Sequence, residues 1–329
     1  MKTLTRKNLL GLGGYASFFC SCFVLFAVLG FPYERVRDLL ISRAEASSAP
    51  GTKLRIGDLG PHWLTGVTLR NVRLDKPASE PDGQASHIAI DKLTLSAAPF
   101  TLLFGGMGVH FDAVAGKGEV VGSYSAKKDG PAHVQAELDA LDLDTLALGA
   151  ALGIPLSGAA TGTIDLTLSA LAAETVGDID LRIENLQLGD GKTKIKVPGL
   201  PGGITLEAIH AGTLEMKLEI KEGVATISKL EAKGKDIELS GSGSLRVSQS
   251  FPNSIADVTL GVKVKDAYAK RNDRTKAMVE LMNINLSNFA GADGMIRFHI
   301  MGPISGPRAL PTGPAGVPAA GRKGRKRGG

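Results

Sequence analysis

The sequence predicts a mainly β protein: an N-terminal transmembrane helix, then an elongated, curved, mostly antiparallel sheet that forms a half-open trough, with one or two short helices. Three observations support this prediction. An uncharged run near the N-terminus is long enough to cross a bilayer. Apolar and polar residues alternate with a period of two through most of the remaining chain. Short Gly- and Asp-containing turns separate the alternating segments.

The N-terminal run Leu9–Phe31 carries no charge over 23 positions, which is enough for a helix across roughly 30 Å of hydrocarbon. A secretory signal peptide would have a shorter apolar region that ends in a small-residue cleavage site, whereas Pro32 and Tyr33 follow here. We therefore interpret residues 9–31 as an uncleaved anchor. The basic residues within segment 1–8 predict a cytoplasmic N-terminus and an exported main domain.

The anchor has one further pattern, because Gly13, Ser17 and Ser21 recur every four residues. Small residues at this spacing allow a second membrane helix to approach closely, although the pattern also arises by chance in a span rich in Gly and Ser. After the anchor, residues 32–48 have apolar positions at helical spacing. This segment is predicted to be an amphipathic connecting helix.

Strand patterns fill the predicted exported domain, residues 49–302. Short connections between successive strands favour antiparallel pairing. Two stretches, Asp144–Leu152 and Tyr268–Met282, have helical patterns instead. The fourteen predicted strands are 54–59, 67–74, 87–96, 109–115, 119–126, 132–138, 162–169, 179–188, 204–211, 214–220, 225–232, 237–247, 257–264 and 295–301.

Two of these strands contain a slip in the alternation. The apolar set moves out of phase around Asn71 in one strand, and between Ile183 and Leu186 in another. Slips of this kind are typical of β-bulges, which bend or twist a sheet.

The stretch from Asp236 to Val247 alternates without a slip, with Asp236 first on the polar side. About fourteen strands at roughly 4.8 Å spacing span on the order of 65 Å, and a flat sheet of that width would curl or split. Glycines on the apolar side permit coiling and leave space. Lipid could fill this candidate groove, or the face could be closed on itself. The predicted groove residues are Ile237, Leu239, Gly241, Gly243, Leu245 and Val247.

The C-terminal residues 303–329 are rich in Pro and Gly without periodicity, which predicts a disordered basic tail, either solvated or in contact with anionic lipid head groups. This tail and segment 1–8 hold nine of the 38 Lys and Arg residues, which leaves 29 against 33 acidic residues in between. A nucleic-acid-binding domain carries its positive charge on the fold itself. We therefore predict no nucleic-acid partner.

No motif has the spacing of a catalytic, metal or cofactor site. The six histidines are scattered, and the two cysteines, Cys20 and Cys22, both lie in the predicted anchor. The stretch Gly189–Thr193 ends like a phosphate-binding loop, but Leu186 occupies the position of the required first glycine. We predict a protein that is not an enzyme and that needs no cofactor or metal.

Three stretches carry a resemblance to a known family. They are FPYERVRDLL at the end of the anchor, LRIGDLGPHWLTGVTLRNVRL (Leu54–Leu74) and GMIRFHIMGPISGPR (Gly294–Arg308). In this order they resemble type II secretion system protein N (GspN), in the form found in delta-proteobacteria, and more distantly AsmA-like inner-membrane proteins. The positions that carry the resemblance are Pro32, Tyr33, Pro61, Trp63, Gly66, Asn71, Gly294, Phe298, Gly302 and Pro307.

The resemblance implies a single-pass protein of the bacterial inner membrane with a periplasmic sheet domain. Its implied role is that of a non-catalytic accessory component of the type II secretion system, with other secretion components as partners. The AsmA-like relation implies an alternative, in which the apolar groove binds or transfers phospholipid and serves the outer membrane.

Overall fold

A computed structural model describes residues 30–313 except 49, 64, 78–85, 99–105, 129, 146–148, 150–153, 198–199, 249 and 251–252. Before residue 30 it describes Tyr15, Phe18, Phe19, Cys22 and Phe26. Most of the predicted anchor, including Gly13, Ser17 and Ser21, therefore lies outside the described residues. Within the described part of the chain, no helix has both the length and the apolar composition that a membrane crossing requires.

Fourteen strands form one continuous antiparallel sheet in which strand order follows chain order, so the predicted mainly β, antiparallel class is confirmed. A separate antiparallel hairpin, formed by Lys194–Val197 and Leu200–Thr205, lies between the eighth and ninth strands of this sheet in the chain and is not part of it. The strands are β1 (Lys53–His62), β2 (Gly66–Lys76), β3 (Ser86–Ala97), β4 (Gly106–Ala115), β5 (Gly118–Lys127), β6 (Ala132–Asp142), β7 (Leu156–Leu168), β8 (Val176–Leu188), β9 (Lys194–Val197), β10 (Leu200–Thr205), β11 (Ile209–Lys221), β12 (Val224–Lys233), β13 (Ile237–Arg246), β14 (Ile255–Val264), β15 (Ile296–Pro303) and β16 (Arg308–Thr312).

The described residues give the bounds of three α-helices beside the sheet: α1 (Tyr33–Ser47), α2 (Asp266–Ala269) and α3 (Asp273–Leu286). Helix α1 is the predicted connecting helix, and it begins directly after Pro32. Helices α2 and α3, followed by the 3₁₀ turn Ser287–Phe289, connect β14 to β15. They account for most of the helix predicted over 268–282. Of the helix predicted over 144–152, only 144, 145 and 149 lie within the described residues.

Cross-strand register places the apolar side chains of neighbouring strands on one face of the sheet. Directly paired residues point to the same side, and Leu166 of β7 pairs with Val134 of β6 while Ile164 pairs with Ile179 of β8. The same alignment continues through β13 and β14, where Leu239 pairs with Val262. One face of the sheet is therefore apolar from edge to edge.

The opposite face is polar and carries cross-strand ion pairs. Arg182 of β8 lies 2.9 Å from Glu215 of β11, and Glu215 also pairs with Lys229 of β12. The hydrogen bond and positive charge of Lys229 lower the pKa of Glu215 below its ordinary value. Because these side chains are largely solvated, they give this face solubility more than stability.

Both predicted phase slips occur, each at an asparagine with a positive φ. Asn185 (φ +53°) is accompanied by register shifts against both neighbouring strands, as expected for a bulge. Asn71 (φ +52°) differs, because β2 keeps the same register with β1 on both sides of it. The apolar sets of β1 and β2 change phase at the same level, so the kink is shared rather than confined to one strand.

Several predicted strand boundaries differ from the structure; β7, for example, begins at Leu156 rather than at residue 162, and β9 was not predicted. The predicted strand 204–211 is divided between the end of β10 and the start of β11. The tail predicted to be disordered from residue 303 begins with an ordered strand, because β16 pairs with β15 and Thr312 is buried. A strand of five residues that contains Pro311 has too little alternation to be recognised without its neighbour. Residues 314–329 lie outside the described part.

Candidate functional site

The middle of the apolar face is only half-buried. In a close-packed core these aliphatic side chains would be removed from solvent almost completely. Within the described residues, no element outside the sheet packs extensively on β6, β7, β8 or β11. We call this surface the open face. Its residues are Val134, Ala136, Leu138, Ile164, Leu166, Ile179, Leu181, Met216 and Leu218.

The same apolar face is fully buried towards one end of its strands. At this end of the sheet, β6, β7, β8 and β11 contain bulges and register shifts beside a cluster of buried residues. Tyr268 of α2 is also completely buried, and its hydroxyl donates a hydrogen bond to the Glu207 carbonyl at 3.2 Å. Burial raises the pKa of Tyr268 to about 12. We call this region the capped end. Its buried residues are Leu143, Ala160, Leu186, Ala211 and Ile237.

A buried carboxylate connects the capped end to the helical segment between β14 and β15. Asp236 is completely buried, which corrects the prediction that it lies on the solvated side of its strand. Its Oδ2 accepts the backbone N–H of His210 at 2.7 Å, lies 2.8 Å from His210 Nδ1 and pairs with the Arg271 guanidinium. Burial alone raises the pKa of Asp236, but hydrogen bonds from Arg271 and His210 outweigh it and leave this pKa below its ordinary value.

A cavity of 520 Å³ lies where the chain emerges from the predicted anchor. Phe31 and Tyr33 line one side, and Trp63 of the β1–β2 turn lines another. Val67, Leu95, Ala97 and Val109 contribute the apolar face of β2, β3 and β4, whereas Thr65, Gly66 and Ser96 lie at the strand ends. Tyr33, Thr65 and Ser96 bring side-chain hydroxyls to the cavity. The lining residues are Phe31, Tyr33, Trp63, Thr65, Gly66, Val67, Leu95, Ser96, Ala97 and Val109.

The resemblance positions fall into two separate groups. Tyr33, Trp63 and Gly66 meet at this cavity, although about thirty residues separate the first from the other two. Pro32 precedes α1, Pro61 lies in β1, and Asn71 forms the kink of β2. The second group lies at the far edge of the sheet, beside or within β15 and before β16. That group contains Gly294, Phe298, Gly302 and Pro307.

The predicted groove residues of β13 do not leave empty space at the glycines. A side chain at Gly241 would overlap the Leu230 side chain, and Gly243 (φ +129°) has the backbone of β14 directly against it. Ile237 belongs to the buried cluster of the capped end, and Leu239 packs against that cluster. Leu245 and Val247 are half-buried. The space predicted at Gly241 and Gly243 is thus occupied, whereas Leu245 of the same strand is half-buried like the side chains of the open face.

Within the described residues, no three His, Cys, Asp or Glu side chains are close enough to bind a metal ion. The Asp236 contacts and the cavity were not predictable as sites from the sequence, because their members lie far apart in the chain. The one signal for the cavity is that Tyr33, Trp63 and Gly66 occur in the two stretches that carry the resemblance.

Comparison with known proteins gives no identification: no family model, curated protein or solved structure matches the chain. The resemblance to type II secretion system protein N and to AsmA-like proteins therefore stays a prediction from the sequence.

Proposed function

We propose that this protein binds the acyl chains of phospholipids on the open face of a curved, half-open trough, and that it is held at a bacterial inner membrane by its N-terminal anchor. The observation that carries this proposal is an apolar sheet face whose central side chains remain half-exposed. Monomeric proteins rarely leave apolar patches of more than a few hundred Å² without a binding role.

The chemistry of the open face suits a hydrocarbon chain. Its residues are aliphatic apart from Met216 and contribute no side-chain hydrogen-bonding group. Each methylene removed from water by such a surface contributes roughly 0.8 kcal/mol. A surface without polar side chains would bind acyl chains of many kinds and leave the polar head group at the margin. The ligand class is therefore a lipid with long acyl chains, with little discrimination between chain types.

Curvature of the sheet would increase the contact between this face and a chain. A sheet of fourteen strands tends to coil or curl, and bulges such as the one at Asn185 increase local bending.

The proposed membrane anchor is supported by the uncharged run Leu9–Phe31 and the basic residues before it. Reporter fusions that are active only in the exported compartment should work after Ser48 and fail at the N-terminus.

Photocrosslinking with matched positions on the two faces tests lipid binding. Ile164 and Thr163 are consecutive in β7, with Ile164 on the open face and Thr163 exposed on the polar face. We expect Ile164→p-benzoylphenylalanine, irradiated in intact cells, to form an adduct with the mass of a phospholipid. Thr163→p-benzoylphenylalanine should form none. Equal lipid adducts at the two positions, or none at Ile164, would refute the proposal.

A second candidate function is that of an accessory component of the type II secretion system. It is supported by the resemblance and by the meeting of Tyr33, Trp63 and Gly66, from two distant stretches, at one cavity. Deletion should then reduce the amount of secreted enzymes, and crosslinking in cells should capture other secretion components. Normal secretion together with a changed outer-membrane lipid balance would favour the lipid-binding role alone.

A further inference from the structure

We propose that the cavity beside Trp63 is the port through which a phospholipid acyl chain passes between the bilayer and the apolar face. This inference rests on the proposed lipid-binding function and adds a location and a route to it. A volume of 520 Å³ lies in the range of about 300–1,000 Å³ found for ligand pockets.

The position of the cavity connects the two surfaces that the chain would move between. Phe31, which lines the cavity, is the last residue of the predicted anchor. This part of the cavity would therefore lie where the polypeptide leaves the bilayer. Val67, Leu95 and Val109 on the other side belong to the apolar face that continues, strand by strand, to the open face. An acyl chain that moves along this path contacts mainly apolar side chains, together with the hydroxyl-bearing Thr65, Ser96 and Tyr124.

Trp63 has the properties of a side chain that contacts the membrane interface. It is 85% exposed and has a φ of +51°, a conformation that is costly for a bulky residue. Folding alone does not require a strained, exposed indole. Tryptophan is enriched at the boundary between water and hydrocarbon, because its ring is apolar and its N–H can hydrogen-bond. We assign Trp63 to the bilayer interface beside the port.

Gly66 lies where the backbone around the cavity is closely spaced. An added Cβ at this position would lie 2.7 Å from both the His62 and the Leu95 carbonyl oxygens, so no larger residue fits without moving the backbone. Near this point, Tyr33, Val67 and Leu95 pack against one buried cluster, which contains Ile56, Leu59, Leu69 and Val72.

A kinetic experiment separates the port from lipid binding itself. Full-length protein with Ile164→p-benzoylphenylalanine is placed in vesicles of phosphatidylethanolamine and phosphatidylglycerol, and cyclodextrin then delivers deuterated phosphatidylglycerol. Irradiation at intervals measures the arrival of deuterated lipid at position 164. Val109→Phe fills the port. Met107→Phe is the control, because Met107 lies on the same face of β4 outside the cavity lining.

We expect Val109→Phe to slow the arrival of lipid by about tenfold without changing the final amount of adduct, whereas Met107→Phe changes neither. Thermal melts verify that both variants are folded. Arrival at the parent rate in Val109→Phe would overturn the port, while absence of lipid at position 164 in the parent would overturn the binding function.

An independent readout uses the fact that Trp63 is the only tryptophan in the chain. In vesicles of phosphatidylcholine brominated midway along the acyl chains, contact with the chains should quench its fluorescence. Fluorescence equal to that in unbrominated vesicles would contradict the placement of the port at the bilayer.

Discussion

The open face and the capped end are parts of one apolar surface that are covered to different extents. On β8, Leu181 is half-buried while Leu186, five residues further on, is 5% exposed. The two leucines are the same residue type in the same strand and point to the same side of the sheet. The difference comes from what surrounds them, because the bulge at Asn185 and the neighbouring buried residues enclose only Leu186.

This comparison indicates that the two regions of the sheet have different roles. The capped end supplies packed aliphatic contacts, which stabilise a fold. It also holds a buried ionic network whose disruption is costly, because it leaves a buried charge without its partner. The open face makes mainly ladder hydrogen bonds and side-chain contacts within its own layer. Changes at the capped end should therefore reduce stability, and changes at the open face should reduce lipid binding with little loss of stability.

The largest loss of stability is expected for Arg271→Ala. It removes the guanidinium beside the fully buried Asp236 carboxylate and should lower the free energy of unfolding by about 3–5 kcal/mol at neutral pH. Because the pKa of Asp236 is lowered in the folded protein, its stabilising contribution exists above the ordinary value of 3.8 and is lost as the pH falls through the folded value. Urea unfolding should show a smaller difference between variant and parent near pH 3 than at pH 7, and an equal difference at both would contradict the assignment.

A pair of leucine truncations on β8 compares the two regions directly. Leu186→Ala leaves a cavity in a packed cluster and should lower the free energy of unfolding by about 2–4 kcal/mol. Leu181→Ala removes a half-exposed side chain and should cost about 1 kcal/mol. Denaturant unfolding of both variants is the measurement. Equal losses would mean that the open face is packed as tightly as the capped end.

Gly243→Ala should have an intermediate effect, because its φ of +129° and the adjacent β14 backbone both oppose a side chain. We expect a loss of about 1–3 kcal/mol. Gly60→Ala in β1 is the control, since nothing lies within 4 Å of an added Cβ there. If thermal melts place both variants at the parent's stability, the close backbone contact at Gly243 is not a constraint.

The smallest effect is expected at the bulge itself. Asn185→Ala replaces a residue that tolerates the left-handed conformation and should cost about 1 kcal/mol. Asn185→Gly should be close to neutral, because glycine adopts positive φ freely. A larger loss in the Gly variant than in the Ala variant, measured by urea unfolding, would show that the asparagine side chain rather than its backbone conformation matters.

The alternation of apolar and polar residues was enough to predict the sheet and its two faces, because the period of two is a local pattern that each strand contains in its own sequence. The bulge at Asn185 was predictable for the same reason. Long-range features were not, since Asp236 occupies a polar position in the alternation, yet it is buried and contacts Arg271 and His210 from distant parts of the chain. Occupied space at Gly241 depends on Leu230 of another strand, and strand β16 depends on pairing with β15.

The central claim, an open apolar face that holds lipid, is tested most directly by the lipid content of the purified full-length protein. Mass spectrometry should detect a stoichiometric amount of phospholipid in the parent and in Thr163→Lys, which places its charge on the polar face. Ile164→Lys, one residue away on the open face, should lose most of this lipid while its unfolding midpoint stays near that of Thr163→Lys. A parent protein without lipid, or equal lipid in the two variants, would contradict the account.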